Sequence, residues 1–353
     1  MRRAVVMLAT WVAFLGFGQA MAHDRWAAED APPAQDGTVV EQELEAQRAK
    51  IPFGGSVSLS QSLGAGTFTS NEYTRRSSYD VSLRLSPMWR ITNLISLSLG
   101  VGVAASLVEN YDSAVTYKRR WVLSDTSLSL RNRKMVVIPG ADIRVSGSLS
   151  FSFPTSPQSQ YRQLYFSSRA GLGFSREFGN LALNYSVSFY KNFNRYTTPA
   201  ISVPDVGDHI VFAHFEGNEQ LTNDLISTGG SNTSFGLTNS LSVGYSFPNV
   251  FAKGQSLSVT IAYDMNHSWT YQSFPKDELS AEHAIGGRGF RDSHGGTFDV
   301  SYQILEYLGV SAGVSTFVAM KSADNKDIVF PFFNFSDYYR NDTSFYATVT
   351  GSF

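Results

Sequence analysis

From residue 56 onward the chain alternates apolar and small polar residues with a period of two, turning and beginning again many times. In residues 141–153, Ile143, Val145, Leu149, Phe151 and Phe153 alternate with Arg144, Ser146, Ser148, Ser150 and Ser152. In residues 94–107, Ile95, Leu97, Leu99, Val101 and Val103 oppose Ser96, Ser98, Gly100 and Gly102. Successive side chains of a strand point to opposite faces, so each segment has one apolar face and one face of small polar groups. Twelve segments read this way: 56–63, 79–85, 94–107, 122–131, 141–153, 165–176, 181–193, 233–247, 256–269, 296–305, 308–319 and 343–353. A fold that uses every one of them must put all the apolar faces on the same side.

Charges and aromatics decide which side that is. Arg84, Asp125, Arg131, Asp142, Arg144, Arg169, Asp264 and Asp299 are assigned to the Ser/Thr/Gly face, whereas Phe151, Phe153, Phe166, Phe235, Tyr245, Phe247, Trp269, Phe298 and Phe353 share the apolar face. A soluble barrel fills its interior with branched apolar residues and puts its charges outside. The reverse pattern, with aromatics toward strand ends, fits a barrel whose exterior meets lipid and whose charged residues line a lumen. Connection lengths agree. Compact connections around Pro87 and at 132–140, 178–180, 248–254 and 306–307 alternate with long ones such as 108–121, 196–232, 270–295 and 321–342. Short periplasmic turns and long outer loops are expected of such a barrel. The fold class is therefore all-β: a transmembrane, antiparallel, up-and-down β-barrel of about 12 strands over residues 54–353, with a short N-terminal periplasmic segment. Pairing 56–63 with 343–353 closes it and leaves no open edge in lipid.

The N-terminus carries a matching address. Arg2 and Arg3 precede an apolar run over residues 4–18, and Ala20 and Ala22 supply the small residues before a cleavage point. Residues 1–22 read as a signal peptide. Residues 23–53, with Pro32, Pro33, Asp36 and Gly37, are too poor in apolar side chains to fold alone and read as a flexible or plug-like periplasmic segment. There is no cysteine, so neither disulfides nor thiolate metal sites are available. A net charge of -2 without any basic run offers nucleic acid no surface. The last strand, ending in Phe353, resembles the assembly signal of bacterial outer-membrane β-barrel proteins. That resemblance implies the bacterial cell outer membrane as location, its lipid as surroundings and the barrel assembly machinery as a partner during biogenesis.

Catalytic constellations are poor. A phospholipase-like site needs a His and a Ser two residues apart on one face, whereas His267 and Ser268 are adjacent and point to opposite faces. Asp292 and His294 have the spacing of one half of an omptin-like protease site, but no Asp-x-Asp pair accompanies them, so they read as solvated loop residues. His209 and His214 lack the one-face spacing of metal ligands. The expectation is no enzyme, no cofactor and no metal.

Two loops invite a role at the mouth. Gly286, Gly287, Arg288, Gly289, Phe290 and Arg291 form a string resembling the arginine–glycine–aromatic motif in a lumen-folded loop of outer-membrane assembly and secretion barrels. Those proteins have more strands and periplasmic repeat domains, so only the physical expectation carries over: Arg288 reaches into the lumen toward Asp264 or Asp299. The last outer loop holds Ile328, Val329, Phe330, Phe332 and Phe333, too much apolar surface to stand in water. It either extends its strands as a hairpin, meets a partner, or folds over the mouth and offers Phe332 and Phe333 to an apolar solute.

Ser124, Asp125 and Leu128, followed by a polar turn and a strand ending in Phe153, Pro154, Thr155 and Ser156, resemble a family of transporter-like outer-membrane proteins linked to phenol meta-pathway degradation. Ser156 stands where that family carries Gly. The resemblance implies passive uptake of small hydrophobic molecules. The expected function is thus a channel or passive transporter for small solutes, with hydrophobic or aromatic compounds as the finer reading. A structural or partner-binding barrel is the alternative.

Overall fold

The structure is a computed structural model. It describes residues 52–68, 78–107, 115–117, 120–197, 200–202, 210–212, 225–227, 231–273, 287–322, 326–333 and 342–353. Residues 1–51, with the expected signal peptide and most of the periplasmic segment, lie outside the described residues, as do His209 and His214.

Twelve long strands follow in chain order: β1 (Phe53–Gly64), β2 (Tyr79–Arg90), β3 (Ile95–Ser106), β4 (Thr126–Ile138), β5 (Ile143–Phe153), β6 (Leu164–Phe178), β7 (Leu181–Asn194), β8 (Thr233–Pro248), β9 (Ser256–Ser273), β10 (Gly287–Leu305), β11 (Leu308–Ala319) and β12 (Thr343–Ser352). Each pairs antiparallel with its sequence neighbours, and β1 pairs with β12 from Ser56↔Ser352 to Gly64↔Ser344. The ring is closed, as the alternation requires. The sheet counts thirteen strands because Arg120–Leu123 pairs with β3 beyond the end of β4 and prolongs it outward.

Register keeps the two faces apart all the way round. Leu59 lies opposite Val349 on one side and Leu83 on the other; Leu83 meets Val103, and Leu130 meets Leu149. This row is exposed: Leu149 is 40% accessible, Leu241 51% and Ile261 51%. The buried side chains are instead dominated by Ser96, Ser127, Ser258, Asn266, Ser268 and their like. Leaving so many large apolar side chains in water would forfeit about 1.5–3 kcal/mol each. The arrangement is stable only where hydrocarbon is the outer solvent. Aromatics ring both ends of the exterior. Phe53 stacks on Trp89 (6.3 Å) and Phe251 meets Tyr302 edge to face (5.4 Å) near the short turns, while Phe166–Phe193 (4.4 Å), Phe235–Trp269 (5.1 Å) and Trp269–Phe290 (5.1 Å) lie toward the long loops.

Three boundaries differ from the sequence reading. The turn expected around Pro87 lies at 91–94, because β2 continues to Arg90 with Pro87 paired to Gly55. The turn expected at 132–140 lies at 139–142, because β4 continues to Ile138 past a register shift between Asn132 and Val136. Arg133 and Lys134 interrupt the alternation there, and the bulge absorbs them. Asp142, expected in the lumen, sits in that turn with φ 49° and is exposed. On the outer side, β9 and β10 run on to Ser273↔Gly287, so much of the loop expected at 270–295 is a hairpin rising above the bilayer. Period two is silent there because both faces are wet.

The face assignment is directly testable. Leu149→Arg puts a charge near mid-bilayer and is expected to cost about 2–4 kcal/mol. Ser148→Asp, one residue away and opposite Arg131 in the lumen, is expected to leave denaturant and heat stability nearly unchanged. The opposite ranking of the two variants would mean that the faces are exchanged.

Candidate functional site in the barrel lumen

The polar row of each strand lines the interior and carries charges of both signs. Arg131 lies opposite Ser148 and Arg169 opposite Ser150, on the rows that face away from Leu149. Arg84 on β2 and Arg144 on β5 stand on the same side of the lumen, with Asp80 four residues before Arg84 on its row. Asp264, opposite Ser240 and Gly295, and Asp299, opposite Thr260 and Gly313, stand on β9 and β10 at the far side of the ring.

Each side is braced from within. Tyr346 Oη donates to Asp299 Oδ2 at 2.7 Å, and the Ser240 hydroxyl donates to Asp264. Arg144 meets Glu177 at 3.5 Å near the periplasmic end. The Arg169 guanidinium lies 5.3 Å from the Tyr190 ring centroid, and Arg84 Nη2 donates to Ser127 Oγ at 3.3 Å. Two glycines make room for this layer: a Cβ at Gly236 would come within 2.4 Å of the Tyr190 ring, and one at Gly100 within 2.7 Å of the Arg84 guanidinium. Both large side chains therefore lie along the wall, where a bulkier neighbour would push them into the passage.

Asp125 lines the outer end of the lumen together with Arg84, Ser127 and Arg169. It precedes β4 at the outer rim and holds a short helix, α1 (Pro157–Tyr161), in the β5–β6 connection. The Ser156 N–H donates to Asp125 Oδ1 at 2.9 Å, and the Ser159 hydroxyl donates to the other carboxylate oxygen. On the far side, the carbonyl of Arg162 accepts from Asn194 Nδ2 (2.8 Å) and Asn232 Nδ2 (3.2 Å). The helix is thus pinned from two directions at the outer end of the lumen. Beside it lies a cavity of about 100 Å³ whose lining includes Arg84, Arg162, Arg169, Tyr190, Asp125 and Ser150. Ser156 as N-cap followed by Pro157 was the sequence signal for this helix, but five residues are too few for helical periodicity to register.

Phe332 and Phe333 lie away from the mouth, and of Arg288 the backbone position alone is described. Arg288 stands on β10 opposite Gln272, in the hairpin, and Asp264 and Asp299 take their hydrogen bonds from Ser240 and Tyr346. The last loop turns back at the Lys321↔Ile328 bridge, where the Val329 N–H donates to the Met320 carbonyl at 3.1 Å. Phe332 then packs outside the barrel, over Gly296 and against Tyr263 (6.2 Å). Phe333 follows it there, 6.3 Å from Phe332. The reason is in the wall. Across β9–β12 the outward row reads Tyr263, Gly296, Thr316, Thr343, a shallow polar gap in an otherwise apolar surface. The Thr316 and Thr343 hydroxyls pair at 2.8 Å, and Tyr263 Oη meets His294 Nδ1 at 3.1 Å. Such groups are costly against hydrocarbon, and the strap of residues 328–333 covers them.

His267 also faces outward, and Ser268 inward. Across the strand pair, His267 Nδ1 and Asp292 Oδ1 lie 2.6 Å apart, so Asp292 serves His267 and not His294. Sequence spacing missed this pair because its members belong to different strands. No serine or threonine hydroxyl bonds either ring among the described residues, and no group of three or more His, Asp or Glu side chains among them is placed to hold a metal ion.

A closed antiparallel barrel with an apolar, belted exterior and a polar, charge-lined interior is a bacterial outer-membrane β-barrel. No family model matches the chain, and no curated protein sequence does. Among solved structures, an outer-membrane channel from Pseudomonas putida F1 is similar at TM-score 0.43 and 9% identity, over 85% of this chain and 95% of that one. The KdgM porin is similar at TM-score 0.38 and 11% identity, over 84% and 99%. Outer membrane phospholipase A from Escherichia coli follows at TM-score 0.31 and 13% identity, over 85% and 95%. Likenesses this loose do not bear on function.

The strap's position predicts an accessibility. The chain has no cysteine, so a nitroxide on Phe330→Cys reports that site alone. Phe330 is 65% exposed beside the lipid-facing wall. The label is expected to collide with oxygen more readily than with a water-soluble nickel chelate. The reverse preference would place the strap in water.

Proposed function

We propose that this barrel is a passive channel for small polar solutes. The observation that carries the reading is the lumen: serines, threonines and glycines around the whole ring, with arginines on β2 and β4–β6 facing aspartates on β9–β10. Small side chains leave width, and opposed charges set a transverse field that a hydrated, dipolar solute crosses more easily than an apolar one. The finer expectation of hydrophobic or aromatic solutes loses its anchor, because Phe332 packs on the outer wall, with Phe333 beside it. Nothing in this reading asks for catalysis, and we assign the chain no enzymatic role.

One observation favours the alternative of a structural or partner-binding barrel: α1 is held at the outer end of the lumen by Asp125, Asn194 and Asn232. The two readings separate in planar bilayers. The wild-type barrel is expected to give stepwise conductance, and Asp125→Ala, which frees the N-terminus of α1, is expected to raise the step size. No conductance from either protein, with both folded by heat-modifiable mobility, would favour the structural reading.

A further inference from the structure

We propose that the cavity beside α1 is a binding subsite for small hydroxy-carboxylates, which makes the channel selective for organic anions. This rests on the channel reading and names the solute class for it. Three arginines, Arg84, Arg162 and Arg169, line one cavity from β2, the turn after α1 and β6. They come from three separate elements, so the grouping is produced by the fold and not by a local run of charge. A guanidinium offers paired N–H donors in a plane, the geometry that matches a carboxylate. The rest of the lining includes Ser127, Ser150, Ser152 and Ser167, whose hydroxyls both donate and accept and so suit a hydroxyl on the carbon chain.

The site is built and not incidental. Arg169 lies against the Tyr190 ring at 5.3 Å, Tyr190 is 7% exposed, and Gly236 gives that ring its place. Arg84 is bedded over Gly100 and directed at Ser127 by a 3.3 Å hydrogen bond. Two cations fixed along the wall lose little freedom when an anion arrives. Size and charge narrow the ligand further. A cavity of about 100 Å³ has room for a molecule of a few heavy atoms. The single carboxylate in the lining, Asp125, is already the acceptor for Ser156 and Ser159, yet its charge lowers the local potential. That disfavours a dianion such as phosphate relative to a monoanionic carboxylate. The acidic wall at Asp264 and Asp299 stands across the ring, so an anion in transit is drawn to the arginine side.

The test uses the full-length mature barrel in planar bilayers, with sodium lactate as probe. In a potassium chloride gradient the reversal potential is expected to carry the anion-selective sign, and lactate is expected to reduce chloride current saturably. Arg84→Gln and Arg169→Gln, made separately, are each expected to raise the half-blocking lactate concentration about tenfold, the effect of losing one charge-assisted hydrogen bond. Lys326→Gln, an exposed position on the outer strap, is expected to leave it unchanged. Conductance without lactate block, or equal block in all variants, would overturn the subsite while leaving the channel standing. Phosphate blocking at lower concentration than lactate would overturn the carboxylate assignment. Absence of any conductance would sink the channel reading instead, and saturable binding of isotope-labelled lactate to the refolded wild-type barrel, weakened in both arginine variants, would still decide the subsite either way.

Discussion

Everything in this molecule depends on the hydrogen-bond ladder between its first and last strands. Within a bilayer an unpaired N–H or C=O has no water to turn to and costs several kcal/mol. A twelve-stranded sheet left open would expose two such edges along the whole hydrocarbon thickness. The pairing of β1 with β12 removes both, and it extends to the last residue, where the Phe353 and Gly55 backbones exchange hydrogen bonds at 2.9 and 3.0 Å. Closure in turn fixes which face is inside. Once the ring exists, every alternating segment must present its serines to the lumen and its leucines to lipid. The charges of the interior follow from which strands carry them.

How much of this was legible in the chain follows from which physical signal each part uses. All twelve strands were readable because lipid on one side and water on the other impose strict alternation, as in residues 141–153. The signal fades where that asymmetry ends. Residues 287–295 are strand, but they stand above the bilayer and mix Arg, Asp, Ser, His and Gly without a period. Asp142 was placed in the lumen by parity, because the bulge after Asn132 and the true position of the turn leave no trace in alternation. Arg84, Arg131, Arg144, Arg169, Asp264 and Asp299 were placed on the correct face by parity alone. Their positions around the ring were equally available, since strand order equals sequence order in an up-and-down barrel.

Contacts that join distant parts of the chain were beyond reach. The pinning of α1 by Asp125, Asn194 and Asn232, the His267–Asp292 pair and the packing of Phe332 over Gly296 each depend on how loops fall once the barrel is closed. The apolar content of residues 328–333 announced that they seek an apolar surface, but only Val329 among them is buried. That content carried no information about whether the surface is the mouth, a partner or the outer wall. The missing clue was the gap itself: Gly296, Thr316 and Thr343 line up only in the assembled sheet.

That strap gives the molecule an outline in the membrane plane that is not round. Over most of its girth the barrel offers surrounding acyl chains a smooth cylinder of Leu, Val and Phe. Along β9–β11, at the outer margin of that cylinder, it carries a ridge, with Phe330 standing 65% exposed. Lipids cannot pack flush on that flank, and a neighbouring barrel approaching from that direction meets the ridge before it meets the wall. Close lateral neighbours are thereby steered to the opposite flank, so the protein has a front and a back in a membrane crowded with other barrels.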